Sequence, residues 1–534
     1  MGPREQEIAD RAFQWVMCSR RPLTTNELLL AVDQSEKNEK LKPVEDLTED
    51  MLLKFCHNLL IIDRHSGFWV PSHASVLEYI VKWRRSRQQA NYLVASVCLS
   101  LLNDRRIYKP ENWILSKSPT EWKQNDKLEF PMNKPGFREL MFYARHHWMI
   151  HVQDCGEEGT KGPLPYRLKR FLKSPDKSSH AYQAWYKMVM KDRFKPASSF
   201  VADSRFDLTD LEPEAGKAGE GETEDEGESG EEGKAEEEGS MAAFAICAFG
   251  LHSTLQYWEN SWKKYELRNA NGYSQLQLAA IAGSVPICEY LIRRGVNVNE
   301  QFQGGGYGST LAAAAAFGNT KVVELLLGHK AEVNQKLRVG WYGSALAAAA
   351  YCKILNLILP LIPRFCKSRA LETCLDSLTP QLHASSAPQL LEHLLESHTN
   401  LCIGGQKDTV QFLIDNEAKA NSQLLTGEYG SPLVAAAASG NQEIVELLIE
   451  ADADVNQPLH VGRYGSALAA AASSGNKDLV EFLIKEGAQV DAQLPTGEFG
   501  SALAAAKYKR NKEVIKLLER ELGITKTSED EENL

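Results

Sequence analysis

The stretch GRYGSALAAAASSGNKDLVEFLIKEGAQVDAQ at 462–493 is one copy of a phrase that returns along the C-terminal half of the chain. Its second Gly recurs at intervals of 35, 87, 35 and 35 residues, at Gly308, Gly343, Gly430, Gly465 and Gly500. A fixed period of this size is typical of stacked supersecondary units that are each too small to bury their own apolar face. Such an array offers a long surface and no evident cleft for chemistry, which favours a binding scaffold.

Each copy contains two short helices joined by a turn. Ser466 precedes an Ala-rich run as a helix N-cap would, and Gly475 ends that helix because Gly adopts a left-handed conformation at little cost. Asn476 can cap a second helix, whose inner side carries Leu479, Val480, Phe482, Leu483 and Ile484. Helix, turn, helix and loop in this order resemble the ankyrin repeat, and the resemblance implies a C-terminal α-solenoid that binds a protein partner.

The copies depart from the ankyrin pattern at two points. The family's T-P-L-H tetrapeptide appears as Ser-Ala-Leu-Ala at 466–469, and the loop is longer than the family's by two residues. That loop carries an aromatic residue in every copy, at Tyr307, Tyr342, Tyr429, Tyr464 and Phe499. These rings either pack on one another as a structural ladder, which is the favoured interpretation, or anchor a partner. The predicted partner contacts are the five rings and the loop residues beside them, Trp341, Glu428, Arg463 and Glu498.

Further units extend the predicted array to 240–520. Residues 271–299 form a clear repeat, and 242–258 fit the same frame degenerately with Gly250 as the turn. In the last copy small residues give way to the charged side chains that a terminal cap needs for solubility, namely Lys507, Lys509, Arg510 and Lys512.

One repeat is cut in two. Residues 341–351 supply its first helix, and the second helix resumes only at Gly405, so that about 353–404 is foreign to the array. This segment carries three cysteines and four prolines, and the prolines would break a repeat helix. A metal-binding insert is disfavoured because no C-x2-C pair occurs. A surface loop remains open because loop length costs little closure entropy, and translated non-coding sequence such as a retained intron is slightly favoured over it.

Residues 1–80 predict a winged-helix domain of three helices and a hairpin. The stretches SRRPLTTNELLLAV, FCHNLLIIDRHSG and SHASVLEYI resemble the winged-helix domain named after GPI inositol-deacylase, which follows the NACHT NTPase module in fungal signal-transducing NTPases. In that family the domain helps to hold the NTPase in its closed state. The deacylase name implies no catalysis here, since the chain contains no G-x-S-x-G motif. The family's H-x-S-x-x-E-Y stretch is matched by His73, Ser75, Glu78 and Tyr79.

Residues 81–200 predict a further helical region. Its segment FRELMFYARHHWMIHV resembles the Y-A-x-x-x-W-x-x-H stretch of the same fungal proteins through Tyr143, Ala144, Trp148 and His151. His147 and His151 stand one helical turn apart and can meet a metal together with Asp154 or Cys155. Packing and hydrogen bonding within a helix is the favoured interpretation of this pair.

The charge of the chain comes from one segment. The net charge of −11 over 534 residues equals the excess within 212–239, where thirteen acidic side chains accompany two basic ones. Glu and Gly without apolar residues cannot offset the entropy of ordering, so 201–239 predicts a disordered acidic linker. We also expect a disordered tail at 521–534.

Several kinds of ligand are disfavoured. The third helix of the winged-helix domain begins with acidic residues, which argues against contacts with nucleic-acid phosphates. The Gly-rich stretch at 304–310 lacks the Lys of a P-loop, and no other P-loop occurs. We expect no cofactor, no small-molecule substrate and no membrane. Scattered cysteines without a disulfide framework and the lack of a signal peptide predict the cytoplasm, with the nucleus left open.

The sequence therefore predicts a mainly α-helical, non-catalytic interaction protein or sensor. The resemblance implies the C-terminal half of a fungal NACHT–ankyrin receptor without its NTPase, whether from a truncated gene model, a split gene or a natural adaptor. The alternative is a winged-helix nucleic-acid-binding regulator that uses its ankyrin repeats as a docking arm.

Overall fold

The computed structural model describes residues 2–34, 47–63, 67–83, 86–104, 135–192, 242–258, 262–302, 306–351 and 406–524. These residues fall into two compact units, one up to Ala270 and the other from Asn271. The predicted linker and interruption, and the tail beyond residue 524, lie outside the described residues.

A winged-helix arrangement opens the first unit. Its strands pair antiparallel with Ile61 opposite Val70, and Thr24 adds a bridge to Phe68. The predicted capping box is confirmed: the Thr24 side chain accepts from the Glu27 amide, and the Glu27 carboxylate accepts from the Thr24 amide. The elements in order are helices Pro3–Cys18, Thr25–Val32 and Glu49–Phe55 and strands Leu60–Ile62 and Trp69–Pro71.

The remaining helices of the first unit enclose an aromatic core. Trp148 meets Phe171 and Trp185 edge to face, at ring separations of 5.2 and 5.6 Å. Trp15 of the first helix lies 5.8 Å from Tyr143, so the winged helix packs against the helical region that follows it. The helices are Ala74–Trp83, Arg87–Leu102, Phe137–Asp154, Leu164–Leu172, His180–Asp192 and Ala242–Ala248, with 3₁₀ helices at Gly156–Thr160 and His252–Tyr257.

The segment 242–258, predicted as a degenerate repeat, keeps part of the repeat pattern. Its helix and its turn at Gly250 are present, but a 3₁₀ helix replaces the second α-helix. The segment packs within the first unit, where the Trp258 indole donates to the Lys173 carbonyl at 3.1 Å and Phe249 contacts Trp148. The compact second unit begins at Asn271.

The second unit stacks helix pairs, which we number repeats 1 to 6, each with an inner helix followed by an outer one. The inner helices of repeats 1 to 5 are almost wholly buried, and their Ala residues let neighbouring helices approach closely. In the inner helix of repeat 6, Lys507, Tyr508 and Lys509 are exposed. The inner helices are Gln275–Ile281, Thr310–Ala316, Ala345–Ala350, Pro432–Ser439, Ala467–Ser474 and Ala502–Lys509. The outer helices are Val285–Arg293, Thr320–Gly328, 406–415, Gln442–Glu450, Lys477–Lys485 and Lys512–Glu521.

The predicted helix caps are confirmed in repeat 5. The Ser466 hydroxyl accepts from the Ala469 amide at 3.1 Å, and the Asn476 side chain accepts from the Leu479 amide at 3.1 Å. Gly475 is left-handed, with φ of 84°. The same Ser cap recurs in every inner helix of the second unit, at Ser274, Ser309, Ser344, Ser431 and Ser501.

Amide side chains bind one repeat to the next. The Asn319 amide group donates to the Ala280 carbonyl at 2.7 Å. Asn456 makes two bonds to the following loop, donating to the Gly487 carbonyl at 2.8 Å and accepting from the Gln489 amide at 3.0 Å. The same two-bond arrangement occurs at Asn299, Asn334 and Asn421.

The structure assembles both halves of repeat 3. Gln406 takes the role that Asn319 has in repeat 2, and its side chain donates to the Ala316 carbonyl at 2.7 Å. The hydroxyls of Thr320 and Thr409 lie 2.6 Å apart across the same interface. The second half therefore stacks in the register that the repeat period predicts.

Candidate functional site

A column of backbone hydrogen bonds joins the loops that precede the inner helices. The Trp341 amide donates to the Gly306 carbonyl at 2.8 Å, and the Glu428 amide donates to the Trp341 carbonyl at 2.8 Å. The same bond links Arg463 to Glu428 at 2.6 Å and Glu498 to Arg463 at 2.8 Å. We refer to these five residues as the edge ladder. Because each rung is bonded to its neighbours, the side chains of successive rungs form one row along the array.

A glycine two residues after each rung allows the loops to approach. Gly465 has φ of +77°, and a Cβ there would lie 2.3 Å from the Thr496 carbonyl oxygen of the next loop. Gly308, Gly343 and Gly430 meet the following loop in the same way. Close approach and a positive φ together explain why Gly recurs at this position of the repeat.

The predicted aromatic row forms one continuous stack. Successive ring centroids from Tyr307 to Phe499 lie 6.0, 5.9, 6.2 and 6.1 Å apart, and the first three pairs are within 13° of parallel. Tyr307, Tyr342 and Tyr429 are at most 5% exposed, whereas Tyr464 and Phe499 are half-buried. Burial leaves the first three rings little surface for a partner, so their contribution is to packing.

The stack remains neutral because burial raises the pKa of the Tyr342, Tyr429 and Tyr464 phenols above the ordinary value. Neighbouring phenols and the Glu428 carboxylate raise these pKa values further. The charges of this edge therefore belong to the side chains of the edge ladder.

The ladder side chains face solvent. Trp341 is 44% exposed, and Glu428 is exposed. The Arg463 guanidinium forms an ion pair with the Glu498 carboxylate at 2.8 Å, which raises the pKa of Arg463. A Cβ at Gly306 would lie 2.5 Å from the Trp341 ring, so the absence of a side chain at Gly306 leaves the space in which the indole packs.

Family models match parts of both units. A model of ankyrin repeats matches residues 242–337 and 345–459, and a second ankyrin-repeat model matches 465–493. The array consists of ankyrin repeats. The model of the GPI inositol-deacylase winged-helix domain matches residues 1–92. A crystal structure of the human ASB11 ankyrin repeat domain matches with 18% identity and a TM-score of 0.35, over 52% of this chain and 96% of that one. No curated protein matches the chain.

Some aromatic residues of the ankyrin array were missed in the sequence. Tyr351 packs against Tyr429 at 4.7 Å and thereby fills the space between repeats 3 and 4. The sequence does carry a signal for this position, because two other rings of the stack are also followed by an aromatic residue nine or ten positions later. These residues are Phe317 after Tyr307 and Tyr508 after Phe499. Tyr273 extends the stack beyond Tyr307.

Two of the winged-helix motif residues, His73 and Ser75, lie at the start of a helix. His73 Nδ1 lies 2.7 Å from the Ser75 hydroxyl and accepts from the Ser75 amide at 3.2 Å, at the beginning of helix Ala74–Trp83. Tyr79 is half exposed, and the Glu78 side chain lies outside the described part of the chain. The geometry of the described motif residues fits capping.

His151 of the helical region belongs to a buried polar network, and the His147 ring packs 4.7 Å from the Tyr143 ring. His151 Nε2 lies 2.7 Å from the Tyr143 hydroxyl, and its Nδ1 lies 2.6 Å from the Asn91 carbonyl oxygen. Both ring nitrogens of His151 are thus engaged, as the hydrogen-bonding interpretation expects. The Tyr143 hydroxyl also accepts from the Arg20 amide at 3.0 Å, which ties the winged helix to the network.

Two site types receive no support from the described residues. Among them, no three His, Cys, Asp or Glu side chains converge in a way that could hold a metal. In the same part of the chain, no helix has the length and apolar character needed to cross a bilayer.

The buried histidines His147 and His151 predict that the first unit is sensitive to acid. Burial lowers the pKa of His147 from 6.5 to about 4, and it lowers that of His151. The unfolded chain therefore takes up protons first, so the stabilisation is full above pH 6.5 and is lost as the pH falls towards 4. We expect a loss of ~1–3 kcal/mol in the free energy of unfolding over this range. Urea unfolding at several pH values checks it, and a His147→Gln variant with an equally steep profile would contradict it.

Proposed function

We propose that this chain is a non-catalytic interaction protein whose ankyrin array binds a protein partner through the edge ladder. The exposed row of Trp341, Glu428, Arg463 and Glu498, held in place by backbone bonds, carries this proposal. A large aromatic with fixed neighbours and adjacent charges has the composition of an interface hot spot. Tyr464 and Phe499 extend the contact surface, since part of each side chain remains exposed.

We further propose a signalling setting for this recognition. The match of residues 1–92 to the deacylase-type winged helix supports action together with a NACHT NTPase of the fungal receptors that the sequence resembles. The described cysteines are free thiols, which supports the cytoplasm as the compartment. In this proposal the array senses a partner and the winged helix transmits the event.

Replacing Trp341 by Ala tests the binding surface. We expect the affinity for the partner to fall about 30-fold, because truncating a hot-spot aromatic costs ~2 kcal/mol. The full chain is used to capture proteins from the lysate of its own source, and bound proteins are quantified by mass spectrometry. Tyr166→Ala is the matched control, since Tyr166 is 48% exposed and lies in the first unit.

A partner lost with Trp341→Ala and kept with Tyr166→Ala supports the edge ladder as the site. Equal capture by all three chains would show that another surface binds. Unchanged urea midpoints for both variants exclude unfolding as the cause.

A further inference from the structure

The Trp341 indole in the edge ladder is held in a fixed position by its neighbours. Trp341 packs edge-on against Tyr307 and Tyr342, at 5.7 and 6.4 Å, and over the Gly306 backbone. These contacts fix the indole while leaving 44% of the residue exposed. A ring fixed before binding loses little conformational freedom when a ligand packs on it.

The rung after Trp341 presents a carboxylate. Glu428 bonds to Trp341 through the backbone, and the rings that follow these residues, Tyr342 and Tyr429, are 5.9 Å apart. Within the described residues Glu428 has no ion pair at 4 Å or less, whereas Arg463 is paired with Glu498. Arg463 also feels the charge of Glu428, but the three charged rungs together carry one net negative charge, and Glu428 is the rung bonded to Trp341.

We propose that the edge ladder recognises an extended protein segment through a Lys or Arg side chain placed between Trp341 and Glu428. This inference rests on the proposed function and specifies its partner. A cation gains from the face of an indole and from a carboxylate at the same time. Charge complementarity thus selects a basic residue over an acidic or purely apolar one.

The spacing of the ladder fits an extended segment. Rung spacing is about 6 Å by the ring separations, and alternate residues of an extended chain are about 6.6 Å apart. Side chains at alternate positions of the segment can therefore meet successive rungs. A basic residue at Trp341 and Glu428 would set the register of the others.

A displayed random peptide library, selected on the full chain, tests this inference. Peptides that bind the wild type and fail to bind Trp341→Ala are sequenced, and their affinities for Glu428→Gln are measured by fluorescence anisotropy. We expect Lys and Arg to be enriched in them, and Glu428→Gln to weaken them about tenfold. Glu486→Gln is the control, because it removes the same charge from the end of the outer helix of repeat 5.

The outcomes separate the two levels of the proposal. Trp341-dependent peptides without an excess of basic residues overturn the inference and leave the proposed function standing. Selected peptides that bind Trp341→Ala as well as wild type, or the absence of any enriched peptide, overturn both. An equal effect of Glu428→Gln and Glu486→Gln would show a general charge effect and would also overturn the inference.

Discussion

Replacing Gly465 by Ala is expected to unfold the neighbouring repeats at a much lower denaturant concentration than in the wild type. Gly465 has φ of +77°, a conformation that costs an L-residue about 1–2 kcal/mol. The new Cβ would also lie 2.3 Å from the Thr496 carbonyl oxygen and 3.0 Å from the Leu494 side chain. This oxygen belongs to the backbone of the next loop, so the clash can be relieved only if the two loops of the edge ladder move apart. We expect the free energy of unfolding to fall by about 3–5 kcal/mol in total.

Gly500 supplies the matched control for this experiment. Its φ is +71°, but no atom lies within 4 Å of a Cβ built there, because it stands in the last loop of the array. Gly500→Ala should therefore cost only the backbone term of about 1–2 kcal/mol. Urea unfolding followed by circular dichroism gives both values, read as shifts in the midpoint of the array. Equal shifts for the two variants would refute the steric argument.

Replacing Glu27 by Ala is expected to destabilise the first unit by about 3–5 kcal/mol. The Glu27 side chain is fully buried, and it accepts from the Arg21 guanidinium at 3.0 Å and from the Thr24 amide at 2.9 Å. The variant leaves the Arg21 charge without this carboxylate and removes the capping box of helix Thr25–Val32. Loss of a buried carboxylate under a partly buried cation is among the most costly single changes.

Asp154→Asn is the control for Glu27→Ala. Asp154 also pairs with an arginine, Arg20, but both side chains are more than a third exposed. An exposed pair contributes at most about 1 kcal/mol, so the midpoint of the first unit should change little. Differential scanning calorimetry of the full chain separates the two cases, and a small shift for Glu27→Ala would contradict the prediction.

Repetition made the array the most predictable part of the molecule. The Ser caps, the Gly turn and the inner apolar faces each follow from local chemistry that every copy repeats. The period also located both halves of the interrupted repeat, since Gln406 continues the hydrogen-bond pattern of Asn319. Local signals of the winged helix, such as Thr24 and Glu27, were equally readable.

Contacts between residues distant in the chain could not be predicted in this way. The network of Tyr143, His151 and Asn91 joins residues up to sixty positions apart, and nothing local marks Asn91 as a partner. The position of the Trp341 indole depends on the lack of a side chain at Gly306 in the preceding loop. Burial of the aromatic stack follows from the tight approach of the loops, which the row of Gly indicates only once the fold is known.

The interruption of repeat 3 bears on the covalent organisation of the array. The bonds of Trp341 to Glu428, Thr320 to Thr409 and Ala316 to Gln406 all join the part ending at residue 351 to the part beginning at 406. Non-covalent contacts thus hold the two parts in register although residues 352–405 separate them in the sequence. We therefore expect that fragments divided between the two helices of repeat 3 would reassociate through these contacts, as in fragment complementation.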